Sequence, residues 1–103
     1  MSESIRIRAR LSGGLTEVRV LMLHPMETGL RKDETGAFVP AHYITTARVS
    51  SGERTLLQAR MTLAVSRDPL LAFRFRGGKP GDPVSVSWTD NRGQHLEAST
   101  FIV

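Results

Sequence analysis

The segment Ile5-Arg6-Ile7-Arg8-Ala9-Arg10-Leu11 alternates apolar and basic residues without a break. In a β-strand successive side chains point to opposite faces, so this order puts the apolar residues on one side and three guanidinium groups on the other. A helix would scatter both sets around its surface. The same period of two recurs along the chain. Thr16 to Leu23 aligns Val18, Val20 and Met22. Arg54 to Leu63 aligns Leu57, Ala59, Met61 and Leu63. Leu71 to Arg76 aligns Leu71, Phe73 and Phe75, and a further run aligns Val84, Val86 and Trp88 against Ser85 and Ser87. Tyr43 to Val49 and Leu96 to Ile102 read as strands as well. Between these runs lie Gly-, Pro-, Asn- and Ser-rich stretches, such as "SGG" at 12–14, "GGKPGDP" at 77–83 and "TDNRGQ" at 89–94, whose residues suit turns.

Seven short strands punctuated by turns, with no sustained helical period, predict an all-β fold. The expected architecture is a seven-stranded immunoglobulin-like antiparallel β-sandwich, one domain over residues 1–103. A small barrel of the OB type is the alternative closure. There is no apolar run near the roughly 18 residues of a membrane-spanning helix, and no membrane partner is expected. The opening "MSESIRIRARL" has no apolar h-region or small-residue cleavage site, so it does not read as a secretory signal.

The chain has no cysteine, which removes thiolate nucleophiles, disulfides and Cys-ligated metal sites. Its formal net charge is +4, and 12 of its 14 basic residues are Arg, a side chain suited to carboxylates, phosphates and sulfur oxyanions. Nucleic acid is not the expected partner. Phe73, Phe75 and Trp88 fall on apolar strand faces, away from the Arg rows, so no stacking platform accompanies the charge.

One segment breaks the pattern. From His24 to His42 run 19 residues, "HPMETGLRKDETGAFVPAH", longer than the usual connection of about 4–6. "KDETG" reads as a solvent-exposed turn, and Met26, Leu30, Phe38 and Val39 argue against disorder. A small hairpin within the segment and a crossover between two sheets both fit. The histidines raise a metal reading, a Zn site of His24, His42 and a carboxylate such as Glu27. The blander reading is a hydrogen-bonding role, and neither metal nor cofactor is expected. Ser, His and Asp are present but in no catalytic pattern, and no independent enzyme activity is expected. Leu21 and Leu23 lie opposite the Val18–Val20 face, and Phe101 and Val103 oppose Leu96, Ala98, Thr100 and Ile102. Apolar residues on both faces of a strand point to a second covered surface, met by a partner or by the long segment.

"LHPMETGLRKD" (23–33), "VPAHYI" (39–44) and "SVSWTDNRG" (85–93) together resemble the SoxZ family over nearly the whole chain. The same "HPM" and "AHYI" pieces are similar to the histidine loop of superoxide reductases, whose iron sites use more histidines than the three here and a cysteine this chain lacks. The SoxZ resemblance implies a non-catalytic scaffold subunit of bacterial thiosulfate oxidation. It implies a heterodimer with SoxY, which carries sulfur covalently on a cysteine of a C-terminal arm, and transient contact with other Sox enzymes. It also implies a periplasmic location reached by co-export with SoxY. The expected partner-binding loop comprises His24, Pro25, Met26, Glu27, Thr28, Gly29, Arg31, Lys32, Pro40, His42 and Tyr43. Arg31 and Lys32 are the first candidates for favouring an anionic carrier group. An isolated chain is open to self-association through the vacated surface. The alternative is a stand-alone ligand- or metal-binding module.

Overall fold

In a computed structural model describing residues 4–103, the alternating segments pair into two antiparallel sheets, with no helix among the described residues. The strands are β1 (Ile5–Ser12), β2 (Leu15–Met22), β3 (Ile44–Ser51), β4 (Arg54–Arg60), β5 (Leu70–Arg76), β6 (Pro83–Asp90) and β7 (His95–Phe101). One sheet has the order β1-β2-β5 and the other β4-β3-β6-β7. This is the expected seven-stranded antiparallel sandwich.

The inner faces are those the alternation marks. Val18, Val20 and Met22 of β2 are fully buried against Val49, Val84, Val86, Trp88 and Ile102. Phe73 and Phe75 are half-buried and pack onto the same cluster. The last residues step from the second sheet to the first: Val103 N–H donates to Ala9 C=O at 3.0 Å, and Leu11 N–H donates to Val103 C=O at 2.9 Å. That exchange covers part of the β1 edge, which would otherwise offer unpaired backbone groups.

Two details differ from the sequence expectation. The pairing of β3 with β4 runs Val49 to Leu57 and then Ser50 to Thr55, so Leu56 is an extra residue and both Leu56 and Leu57 contact the core. Such a bulge breaks the alternation locally. β4 also ends at Arg60 rather than Leu63, because Thr62 starts a turn: its hydroxyl accepts from Ala64 N–H and its carbonyl from Val65 N–H. Met61 stays buried, and Leu63 is left 43% exposed.

Gly78 shows how tightly the sheets close. Its φ is +84°, and a Cβ there would stand 2.7 Å from Thr16 Oγ1 and 2.9 Å from Ile102 Cδ1. Only glycine fits this approach. Buried Thr16 satisfies its hydroxyl by donating to Gly77 C=O at 2.7 Å.

Candidate functional site

The segment between β2 and β3 crosses from one sheet to the other and forms a hairpin on the way. Val39 N–H donates to Arg31 C=O at 2.7 Å, Asp33 N–H donates to Ala37 C=O at 2.9 Å, and Lys32 bridges Phe38. Asp33 stiffens the tip: its Oδ1 accepts from Thr35 Oγ1–H, Thr35 N–H and Ala37 N–H. The Thr35 hydroxyl leads in holding that carboxyl below its ordinary pKa. Every residue from Leu30 to Phe38 is exposed, Leu30 by 78% and Phe38 by 61%. The molecule measures 53 × 22 × 20 Å and has a radius of gyration of 15.5 Å, more than the roughly 13 Å of a compact chain this long.

The base of the arm is anchored where three connections meet. Glu27 and His42 exchange backbone hydrogen bonds at 2.7 and 2.9 Å, which closes the loop. His24 and Asp68, in the β4–β5 connection, form a second pair: His24 N–H donates to Asp68 Oδ1 at 2.9 Å, and Asp68 N–H donates to His24 C=O at 3.0 Å. The β6–β7 turn supplies the third anchor. Asn91 Oδ1 accepts from Tyr43 N–H at 2.8 Å, and its Nδ2–H donates to Ala41 C=O at 2.9 Å.

At the centre lies Asp90, 3% exposed. Its Oδ2 is 3.2 Å from His24 Nε2 and 2.8 Å from His42 Nε2, while Oδ1 accepts from the N–H groups of Arg92 and Gln94 at 3.0 and 2.9 Å. Burial pushes the Asp90 carboxyl up, but the donors of His24, His42, Gln94 and Arg92 prevail and hold it below the ordinary range. Burial also depresses the His24 pKa, against the opposing hydrogen bond that His24 donates to Asp90. The His24 ring meets the His42 ring at 4.4 Å and the buried Trp88 indole at 5.1 Å, edge to face.

The tautomers decide what this cluster can do. His24 Nδ1 faces the N–H of Met26 at 3.1 Å, so Nδ1 is an acceptor and the proton sits on Nε2, directed at Asp90. His42 Nε2 faces two oxygens, Asp90 Oδ2 and Gln94 Oε1 at 3.1 Å, so it too carries a proton. The ligand atoms of His24, His42 and Asp90 lie within 4.8 Å of one another, close enough for a cation by distance alone. A metal-ligating imidazole, however, donates its other N–H to an acceptor. His24 is arranged the opposite way, with both nitrogens committed, so the cluster fits a hydrogen-bonded clamp rather than a metal site or a general base. Met26 holds this geometry from a left-handed backbone (φ 48°), and its Sδ accepts from Ile44 N–H at 3.3 Å.

The expected loop residues thus divide. His24, Met26, Glu27, His42 and Tyr43 meet at the base. Pro25 and Pro40 are exposed at its margins, Thr28 Oγ1 accepts from Leu30 N–H, and Gly29 (φ +86°) packs closely on Ala41. Glu27 is not the carboxylate of the histidine pair. It takes a forked hydrogen bond from Arg31, with Nη2 to Oε1 at 2.8 Å and Nε to Oε2 at 3.1 Å. Arg31 is therefore already neutralised, and Lys32 Nζ lies over the Phe38 ring at 5.2 Å. Asp68, Asp90, Asn91 and Gln94 were not expected at the site. The "TDNRG" turn gave the only signal, as a turn rather than as a set of anchors.

The SoxZ family, described as "Sulphur oxidation protein SoxZ", matches residues 5–100. The chain belongs to the SoxZ family. Membership supports a role in sulfur oxidation. No curated protein matches the sequence significantly. Among solved structures the fold is similar to a superoxide reductase in its oxidised state, with a TM-score of 0.66 and 15% identity over 96% of this chain and 86% of that one. It is similar to a hypothetical protein from Pyrococcus horikoshii OT3, with a TM-score of 0.67 and 15% identity over 100% and 93% of the two chains. A neelaredoxin-type superoxide reductase from Ignicoccus hospitalis gives a TM-score of 0.63 and 16% identity over 96% and 77%. At these identities the likeness is one of fold.

Proposed function

We propose that this SoxZ-family chain is the non-catalytic scaffold subunit of a SoxY heterodimer, and that it holds SoxY while the cysteine-bound sulfur intermediate visits other Sox enzymes. The reading places the complex in the periplasm, with this chain co-exported. The observation that carries it, beside family membership, is the stiffened arm of residues 30–38, which holds Leu30 and Phe38 in solvent. Large apolar side chains at 78% and 61% exposure on an ordered hairpin fit a protein contact better than an isolated surface. The buried clamp of His24, His42 and Asp90 supports this role indirectly, because it fixes the direction of the arm.

The experiment is size-exclusion chromatography with light scattering, on the chain alone and mixed with its cognate SoxY. The wild-type chain should give a one-to-one complex, and the double variant Leu30→Ser/Phe38→Ser should bind roughly tenfold or more weakly while keeping its circular dichroism. Two unmixed peaks with the wild-type chain would reject the scaffold reading. A complex unaffected by the double variant would place the contact elsewhere on the sandwich.

A further inference from the structure

The strand order builds a strongly basic surface that neither the clamp nor the arm uses. On the outer face of the β1-β2-β5 sheet, pairing aligns Arg8 with Arg19 and Ala72, and Arg10 with Glu17 and Arg74. Arg6 begins the β1 row beside Leu21 and Leu70, and Arg76 lies beside Leu15. Among the described residues, six Arg thus share one face with a single carboxylate. Glu17 pairs with Arg19 at 3.2 Å and with Arg74 at 3.4 Å, while Arg6, Arg8, Arg10 and Arg76 form no ion pair among the described residues. Arg8 and Arg19 stand directly opposite each other, an arrangement that costs stability. The other sheet shows no such bias: its outer face carries Ser85, Ser87 and Ser99 around Arg48 and Glu97.

We infer that the outer face of the β1-β2-β5 sheet is a docking surface for the acidic face of a partner protein. Charge complementarity names the partner's sign, since carboxylates would relieve the Arg8–Arg19 repulsion and pair the four guanidinium groups that form no ion pair among the described residues. A protein is favoured over a polyanion by the other residues of the face. Leu70 is 57% exposed and Leu15 37%, apolar surface that a phosphate backbone would leave uncovered. Glu17 would repel phosphates, and among the described residues the face has no aromatic side chain for stacking. A second copy of this chain would oppose one Arg face with another. The surface is separate from the arm, so the inference stands whether or not the arm binds SoxY.

The test is fluorescence anisotropy with the full chain and a dye-labelled glutamate oligomer, at low and high salt, with an oligothymidylate of equal length as the competitor class. The expected result is salt-sensitive binding of the glutamate probe. Each exposed ion pair contributes a factor of roughly two to five. The triple variant Arg6→Ser/Arg8→Ser/Arg74→Ser should therefore bind roughly ten- to a hundredfold more weakly. An off-face triple of equal charge, Arg48→Ser/Arg60→Ser/Arg67→Ser, should bind about as the wild type does. Equal losses in both triples would show that net charge alone attracts the probe, and would overturn the inference. So would no binding of the glutamate probe, or tighter oligothymidylate binding with the same dependence on the face variant.

Discussion

Replacing Asp90 by Asn removes one charge, keeps the shape, and tests whether the buried carboxylate holds the loop. Asp90 accepts four hydrogen bonds, two from imidazole Nε2–H groups and two from backbone N–H groups. The Asn side chain offers one oxygen and one NH2. If the oxygen stays with Arg92 and Gln94, the NH2 confronts the two Nε2–H donors. His24 cannot give way by changing tautomer, because its Nδ1 already accepts from Met26 N–H. If the amide flips, the NH2 confronts the backbone donors instead. Either way two hydrogen bonds to a charged acceptor are lost in a site that is 3% exposed. At about 1.5–3 kcal/mol each, less what rearrangement recovers, the expected loss is roughly 3–4 kcal/mol. That is a large part of the 5–15 kcal/mol typical of a domain, and corresponds to a Tm lowered by roughly 12–30 °C. Urea and thermal unfolding followed by circular dichroism would measure it, with Glu97→Gln as an exposed control expected within about 0.5 kcal/mol of wild type. A loss below about 1 kcal/mol with an unchanged m-value would show that the clamp does not anchor the loop, and the hydrogen-bond assignment would fall with it.

Acid should weaken the fold through the same cluster. Burial sets the His24 pKa below its unfolded value, so His24 contributes stability fully above about pH 6.5, and that contribution is lost as pH falls through the lower folded value. Asp90 is depressed as well, so a second loss begins below about pH 3.9. A urea midpoint that stayed flat from about pH 7 to about pH 5 would refute the His24 part. Gly78→Ala should cost about 2–4 kcal/mol, from the left-handed φ and the contacts with Thr16 and Ile102. Differential scanning calorimetry that found it neutral would mean that the closure between Gly78 and the core is loose.

Much of the fold was legible because strand signals are local. Alternation in β1, β2, β5 and β6 marked the strands and their inward faces, and Gly, Asn and Pro marked the turns, because a period of two and a positive φ are properties of neighbouring residues. Local rules also failed for local reasons, at the Leu56 bulge and at the Thr62 turn that ended β4 early. The length and odd composition of residues 24–42 were enough to mark them as a separate device, and the hairpin tip at Lys32 to Gly36 could be read directly. Tertiary structure decided what that device is. His24 meets Asp90 across 66 positions and His42 meets it across 48, so no spacing in the sequence pairs them. The choice between metal ligand and clamp rests on one backbone N–H, that of Met26, presented by a dihedral that no residue pattern announces. The basic face followed the same division. Three Arg on β1 were plain from the alternation, but Arg19, Arg74 and Arg76 joined them only once β2 and β5 had paired, because register brings distant charges onto one surface.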